Sequence, residues 1–472
     1  MNTYLIIILV YFALVNGLAI FTVRKAGRSS SEYLIAGRNM GMVAVAMVVA
    51  AEWLGGLSTI GVSERAFTTG TLEPVLYNLS TSLGMIIIGF TVAAHYRRHG
   101  VHTVGEMLGK LFGEKVRKIS SLAFLVAYII LGYVQLQTCA GVIAPLFSMQ
   151  WPAAVMVSAG IITLYTYLGG MHALALTGII HMFARYLGTG IALWVGLDKL
   201  GGLEPLTQQL LASGSPQGLY NPFSNSLSAG FSLLLGGVLG GMAAQASIQP
   251  IFAAKDVKTA KRAAILSGFL IAPFGLLTGM LGLMARSGHF IDPATVINPK
   301  MALTLLLTEP SFIHPFWGGI ALAGILAAIF STAGPVNFAI VTIAAKDIYQ
   351  GWYHKNADDG HLLKTARRMV IAVNLVLIPP ALLFHQGVLE AAYASYAIRS
   401  AGAIVLVLGI YFRKYISIRG AVLAFAAAVA AVLYNITTPY TGLPSADTTY
   451  LTLLAALSGI FAGTFFRKNP FS

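Results

Sequence analysis

Charge is scarce in this chain of 472 residues: 10% of it is Asp, Glu, Lys or Arg, against roughly 25% in a soluble domain. Acidic residues are scarcer still, sixteen against thirty Lys and Arg. There is one cysteine, Cys139, so no intrachain disulfide is open to it, and it reports nothing about redox compartment. Neither a His-Glu-x-x-His helix nor a Gly-x-Ser-x-Gly elbow occurs, and a lone cysteine is a poor nucleophile, which leaves no signature for an intramembrane enzyme. What the chain has instead is apolar residues, 57% of the total, with a mean hydropathy of +0.77. That composition describes an all-α polytopic membrane protein, for which a count of soluble domains by length does not apply.

A spanning helix needs about 20 apolar residues. Thirteen candidate spans appear, near 2–22, 41–67, 72–95, 119–147, 150–168, 171–198, 227–249, 263–285, 315–345, 369–385, 387–411, 420–437 and 448–466. The first has no basic residue ahead of its apolar run and no small-residue cleavage site, so it reads as a retained span rather than a signal peptide. With thirteen spans, 24 of the 30 basic residues fall in connections on one side, and only Lys199, Arg286 and Lys300 in connections on the other. The positive-inside rule then puts the N-terminus outside and the C-terminus inside. The net charge of +14 is thus mainly a topology signal with anionic lipid contact, not a nucleic-acid patch. On the inner side, residues 103–118 read as a short amphipathic helix. The outer connections 201–225 and 287–314 read as surface loops or as lids over a vestibule.

Span 2 carries Ala51-Glu52-Trp53-Leu54-Gly55-Gly56. A carboxylate at mid-membrane costs roughly 2.5–3.5 kcal/mol on insertion scales, and each glycine weakens a helix by about 1 kcal/mol relative to alanine. Such a spot must face protein or a water-filled cavity. Span 7 has Gly236-Gly237 and Gly240-Gly241, followed by Gln245, Ser247 and Gln249. Glycine pairs in membrane helices serve as packing surfaces as well as breaks, but the matched placement, five spans apart, suggests discontinuous helices opening two inverted halves. The halves would be 41–198 and 227–411, with two C-terminal spans in 412–472, all in a single transporter domain covering 1–472.

Four stretches resemble the sodium:solute symporter family, which includes proline, glucose, sialic acid and choline symporters. Tyr33-Leu34-Ile35-Ala36-Gly37-Arg38 is similar to its "YxxAGR". Leu164-Tyr165-Thr166-Tyr167-Leu168-Gly169-Gly170-Met171-His172-Ala173 is similar to "YTxxGGxxA". Phe252-Ala253-Ala254-Lys255-Asp256 with Lys261-Arg262 resembles "AAKDxxxAxR", and residues 325–332 with Lys346-Asp347-Ile348-Tyr349 resemble "LAAxxST…DxY". The resemblance implies a LeuT-type 5+5 inverted repeat formed by spans 2–6 and 7–11, alternating access, and Na+ as the coupling ion. It also implies a sodium site between spans 2 and 9, made by the carbonyls of Ala51, Leu54 and Ala328 and the hydroxyls of Ser331 and Thr332. Sodium is a hard cation and an unwound helix frees carbonyls for it. The competing reading of Ser331 and Thr332 is back-bonding to the preceding helical turn. Thr177 is followed by Gly178, where several members carry an acid, and Ala333-Gly334-Pro335 lacks extra serines, so one sodium per cycle is expected. Pro335 is expected to kink span 9.

For the solute, the candidate residues are Glu52, Trp53, Gly55, Tyr133, Gln137, Gln245, Tyr396 and Arg399. Trp53-Leu54-Gly55-Gly56 resembles the "WVGG" of choline transporters, and Trp53, Tyr133, Tyr393 and Tyr396 could form a cation–π wall. Two readings stay open: Glu52 and Arg399 bind the ammonium and carboxylate of an amino acid or related zwitterion, or Glu52 pairs with an arginine such as Arg65, Arg185 or Arg399. Proton coupling through Glu52 or His181, a carboxylate or sugar as solute, and a channel are the alternatives. A sensor is not expected because the chain ends soon after the last span. The expected protein is a monomer in a cell membrane, the bacterial inner membrane being favoured.

Overall fold

The structure, a computed structural model, describes the backbone of residues 3–26, 39–356, 358–441 and 447–465; the side chains of 15–16, 18–26, 168–177, 359 and 439–441 lie outside the described residues. The "YxxAGR" stretch and part of "YTxxGGxxA" therefore fall outside them as well. In chain order the helices are α1 Thr3–Ala26, α2 Met42–Trp53, α3 Val62–Thr69, α4 Val75–Phe90, α5 Ala93–His99, α6 Val104–Phe112, α7 Glu114–Leu146 and α8 Trp151–Leu200. There follow α9 Leu203–Ala212, α10 Leu227–Met242, α11 Gln245–Phe252, α12 Val257–Ile271, α13 Phe274–Arg286 and α14 Ala302–Thr308. Last come α15 Pro315–Thr342, α16 Asp359–Leu383, α17 Val388–Tyr411, α18 Ile418–Thr441 and α19 Thr448–Phe465.

Among the described residues, nine helices are long and apolar enough to cross a bilayer, or eleven if each of two bent pairs is one span. One bent pair is α2 with the segment Leu57–Thr69, turned by 50° at Leu54, Gly55 and Gly56; the other is α4 with α5, turned by 55°. Expected spans 1 and 5 correspond to Thr3–Leu14 and Trp151–Tyr167, apolar but shorter within the described residues. Expected spans 5 and 6 lie in one 50-residue helical run, α8, because no proline separates them and the glycine pair at their junction does not stop the helix.

Two expectations change. Residues 103–118 do not form one amphipathic helix: Thr103 caps α6, its hydroxyl accepting from the Glu106 N–H at 2.9 Å, and Gly113 at φ 93° ends it before α7 begins. The glycine pairs of span 7 do not break it either. α10 runs through Gly236, Gly237, Gly240 and Gly241, and a Cβ on Gly237 would stand 1.9 Å from the Ser80 hydroxyl, one on Gly240 2.8 Å from Tyr396. They let α10 close on α4 and α17, and the interruption comes just after them, at Ala243 and Ala244. Pro335 sits inside α15, which continues to Thr342 with only the Ser331 carbonyl deprived of its helical donor.

The two interrupted spans occupy the middle of the bundle. α2 packs on α8, α11, α12 and α15, while α10 packs on α4 and α17. One end is latched by the motif residues. The Met40 N–H donates to the Ala253 carbonyl, the Lys255 N–H to the Met40 carbonyl, both at 3.0 Å, and Arg97 donates to the Ala254 carbonyl at 2.6 Å. Asp347 is buried, accepts from the Thr103 hydroxyl at 3.0 Å and pairs with Arg117 at 3.2 Å. These motif residues thus hold the helices in place, and the chemistry lies elsewhere.

Candidate functional site

Breaking a helix inside a bilayer leaves carbonyls without donors, and no water is there to serve them. At the α2 break each one is taken. The Ala51 carbonyl accepts from the Ser331 hydroxyl at 2.8 Å and from Arg185 Nη1 at 2.9 Å. The Glu52 carbonyl accepts from the Thr332 hydroxyl at 2.5 Å, and the Trp53 carbonyl from the Ser58 hydroxyl at 2.8 Å. The Leu54 carbonyl accepts from Arg185 Nη1 at 2.5 Å, and Gly55's from the Thr59 hydroxyl at 2.9 Å. The glycines are needed for contact. A Cβ on Gly55 would fall 1.5 Å from Thr332 Oγ1, and one on Gly56 2.4 Å from Thr138 Oγ1.

The structure brings Ala51, Leu54, Ala328, Ser331 and Thr332 together where α2 meets α15. Ser331 Oγ also lies 2.7 Å from the Ala328 carbonyl and Thr332 Oγ1 3.4 Å from it, so the one proton of each hydroxyl has an acceptor across the helices and another within α15. Arg185 on α8 reaches into the same group. It is wholly buried, its Nε donates to the His181 carbonyl at 2.9 Å and its Nη2 to Ser331 Oγ at 2.5 Å. No carboxylate among the described residues is within ion-pair distance of it. His181 is bonded through Nδ1 to the Tyr11 hydroxyl at 2.6 Å. Gly178 faces Ala51 from the same helix, a Cβ there coming 3.5 Å from the alanine methyl.

On the opposite side of the break several buried polar atoms have no partner among the described residues. Glu52 is 4% exposed and accepts a short hydrogen bond from the Ser247 hydroxyl of α11. No arginine or lysine among the described residues is within ion-pair distance of it. Trp53 stands edge-on to Tyr396 at 5.9 Å, with its Nε1 unpartnered. Tyr396 is hydrogen-bonded to Tyr77 at 3.0 Å and carries the Arg399 guanidinium 4.1 Å above its ring. Arg399 is 1% exposed, donates one bond to the Tyr128 hydroxyl at 3.4 Å, and leaves Nε and Nη2 with no acceptor.

Sequence reasoning missed Gln135. Both its amide atoms are buried without a partner, and its oxygen lies 2.9 Å from where a Cβ on Gly56 would stand. A polar residue in the apolar run of α7 was the available signal. Three of the expected solute residues, Gln245, Gln137 and Tyr133, make contacts away from the α2 break. Gln245 accepts from the Val104 N–H at 2.8 Å and donates to the His102 carbonyl at 2.9 Å, so its amide ties α11 to the start of α6. Gln137 donates to the carbonyls of Ala381 and Phe384 at 3.0 and 2.6 Å, and Tyr133 packs on Phe384 at 5.6 Å. Gln137 also lines a cavity of 710 Å³ with Glu64, Arg65, Lys300 and Glu390. There Lys300 pairs with Glu64 at 3.6 Å, and the Val388 N–H donates to Glu64 at 2.9 Å. Arg65 pairs with Glu73 at 3.1 Å.

The family model described as "SSF: Sodium:solute symporter family" matches residues 33–427. The chain is 24% identical to the high-affinity choline transporter 1 of Drosophila melanogaster, over 90% of this chain and 69% of that one. It is 24% identical to the osmoregulated proline transporter OpuE of Bacillus subtilis, over 86% of this chain and 84% of that one. Among solved structures it resembles a Na+-coupled sialic acid symporter in a substrate-bound outward-open state, with a TM-score of 0.80 and 15% identity, covering 99% and 98% of the two chains. A nucleobase-cation-symport-1 family transporter matches with a TM-score of 0.61, also at 15% identity, over 92% and 94%. Both likenesses speak to a LeuT-like fold.

Proposed function

The chain belongs to the Sodium:solute symporter family, is a multi-pass membrane transporter and not an enzyme, and from that premise we propose that it imports a small zwitterion, an amino acid or a related compound. Sodium is the co-substrate of the family. The observation that carries the reading is Arg399. A guanidinium that is 1% exposed with two unserved nitrogens is costly to bury. A carboxylate of the solute would serve both in a bidentate pair. Glu52, buried without a cationic partner, is the complementary group for an ammonium, and Trp53 and Tyr396 supply the aromatic faces beside it. Gln135 and Ser247 are the further polar contacts. A solute with both charges satisfies both buried groups at once, which choline alone would not.

In this reading the solute enters by the cavity lined by Glu64, Arg65 and Lys300, binds at the α2 break, and leaves on the far side after the bundle rocks. The oxygens of Ala51, Leu54, Ala328, Ser331 and Thr332 form a cation position on the other face of the break. The orientation has the N-terminus outside and the C-terminus inside, with thirteen spans, in a cell membrane, and one chain as the transporting unit. A thermal-shift screen of proline, choline and sialic acid tests it, because a bound solute stabilises by mass action. Proline is expected to raise the melting temperature most. A shift with choline alone, or with none of the three while uptake into vesicles is also absent, would refute the zwitterion.

A further inference from the structure

The cation position between α2 and α15 already holds a cation, and it belongs to the chain. Arg185 Nη1 touches the Ala51 and Leu54 carbonyls at 2.9 and 2.5 Å, and Nη2 touches Ser331 Oγ at 2.5 Å. These are three of the five oxygens expected to coordinate sodium; a fourth, the Ala328 carbonyl, is 2.7 Å from the same Ser331 hydroxyl. We propose that the guanidinium of Arg185 is a tethered cation that takes the place of sodium at this position, so that solute binding by the wild-type protein does not need sodium there.

Three observations carry this. The first is mutual exclusion. An ion among these oxygens would sit against a buried positive charge, with no described carboxylate in ion-pair contact to offset either. Guanidinium and sodium cannot share the position. The second is tethering. Arg185 is held by its own helix through the Nε bond to the His181 carbonyl, and Gly324 of α15 brings its backbone against the arginine, a Cβ there coming 3.1 Å from Arg185 Cα. A ligand fixed in place competes at a high effective concentration against a free ion. The third is the hydrogen-bond account. Carbonyls freed by a break in the membrane need donors in every state, and Arg185 supplies them to Ala51 and Leu54 from within the chain. A transient sodium ion would leave Leu54 unserved each time it departed. Gly178 fits the same picture, since the face of α8 toward Ala51 carries no acid one or two turns before Arg185.

The inference rests on the chain being a transporter of this fold and departs from the family pattern on the ion at one position. Its test reads sodium without solute. Binding of radioactive sodium to the purified wild type and to Arg185→Ala would be measured by equilibrium dialysis. Proline- and choline-induced thermal shifts would be measured in parallel in sodium chloride and in N-methyl-D-glucamine chloride. The wild type is expected to show no saturable sodium binding that Ser331→Ala removes, and any solute affinity should agree within about twofold between the two salts. Arg185→Ala is expected to gain saturable sodium binding and at least a tenfold sodium dependence of solute affinity. Arg185→Lys, which keeps a tethered cation, serves if the alanine variant does not fold, and should remain sodium-independent. Saturable sodium binding by the wild type that Ser331→Ala abolishes would overturn the proposal. Failure of the solute reading alone would show as no shift in either salt, with the sodium result unaffected.

Discussion

The two faces of the α2 break differ in one respect that decides their roles. Toward α15 and α8, every carbonyl freed by the break has a donor at 2.5 to 2.9 Å, from Ser331, Thr332 or Arg185. Toward α7 and α17, Trp53 Nε1, Arg399 Nε and Nη2 and the whole amide of Gln135 have no partner among the described residues, and Glu52 has only Ser247. Burial is nearly complete on both faces, so the difference is not solvent access. Buried polar groups without partners cost about 1–3 kcal/mol each. On the first face the freed carbonyls all have donors, although His181 Nε2 does not have a partner there; the unpartnered atoms of the second face are the ones the proposed solute would meet. In the proposed reading the first face holds the helices together and the second takes the solute.

The largest expected effect comes from separating the faces by force. Gly55→Ala puts a methyl 1.5 Å from Thr332 Oγ1 and should cost roughly 3 kcal/mol or more of stability. Gly41→Ala, where nothing lies within 4 Å of the new methyl, should leave the melting temperature unchanged and is the control. Next is Arg399→Gln. It should lower affinity for a carboxylate-bearing solute by about 100-fold, roughly 2.7 kcal/mol, while melting moves little, since two of the three nitrogens removed had no acceptor and the third only a long bond to Tyr128. An equal loss of stability would place Arg399 with the structural face.

Thr332→Val should do the reverse. It strips the donor from the Glu52 carbonyl and should cost about 1–2 kcal/mol of stability, read in a detergent melt, with solute affinity within a few-fold of wild type. Gln135→Leu should weaken solute binding about tenfold, near 1.4 kcal/mol, and should leave the unliganded protein as stable or more so. The smallest effect lies far from the break. Burial pushes the Glu106 carboxyl up, but its hydrogen bonds to His102, with Lys110 nearby, outweigh that and hold it below 4.5. The folded value being the lower one, Glu106 contributes stability above pH 4.5 that is lost as pH falls through the folded value. Glu106→Gln should be slightly less stable than wild type at neutral pH, and the gap should close in acid.

Much of this is legible in the sequence. A bilayer demands long apolar runs, so the spans stand out, and a carboxylate beside two glycines marks a helix that cannot continue quietly. The expected ligand oxygens do converge, because residues on α2 and α15 needed only those two helices to meet. What escaped depends on how a third helix docks. His181 and Arg185 show from their spacing that they share a face of α8, but nothing in the chain says that this face meets Ala51 and Leu54. That the amide of Gln245 meets His102 and Val104 depends in the same way on the approach of α6. The glycines of α10 illustrate a different limit. Two pairs in a row are equally good for breaking a helix or for seating it against Ser80 and Tyr396, and only the neighbour decides.

The division between the faces is tested most directly by one paired binding measurement. Proline, or whichever of proline, choline and sialic acid shifts the melt most, would be titrated calorimetrically into wild type, Arg399→Gln and Thr332→Val under identical salt. The account predicts that Arg399→Gln loses binding by about 100-fold while Thr332→Val binds within a few-fold of wild type. Equal losses in both variants, or a loss confined to Thr332→Val, would contradict it.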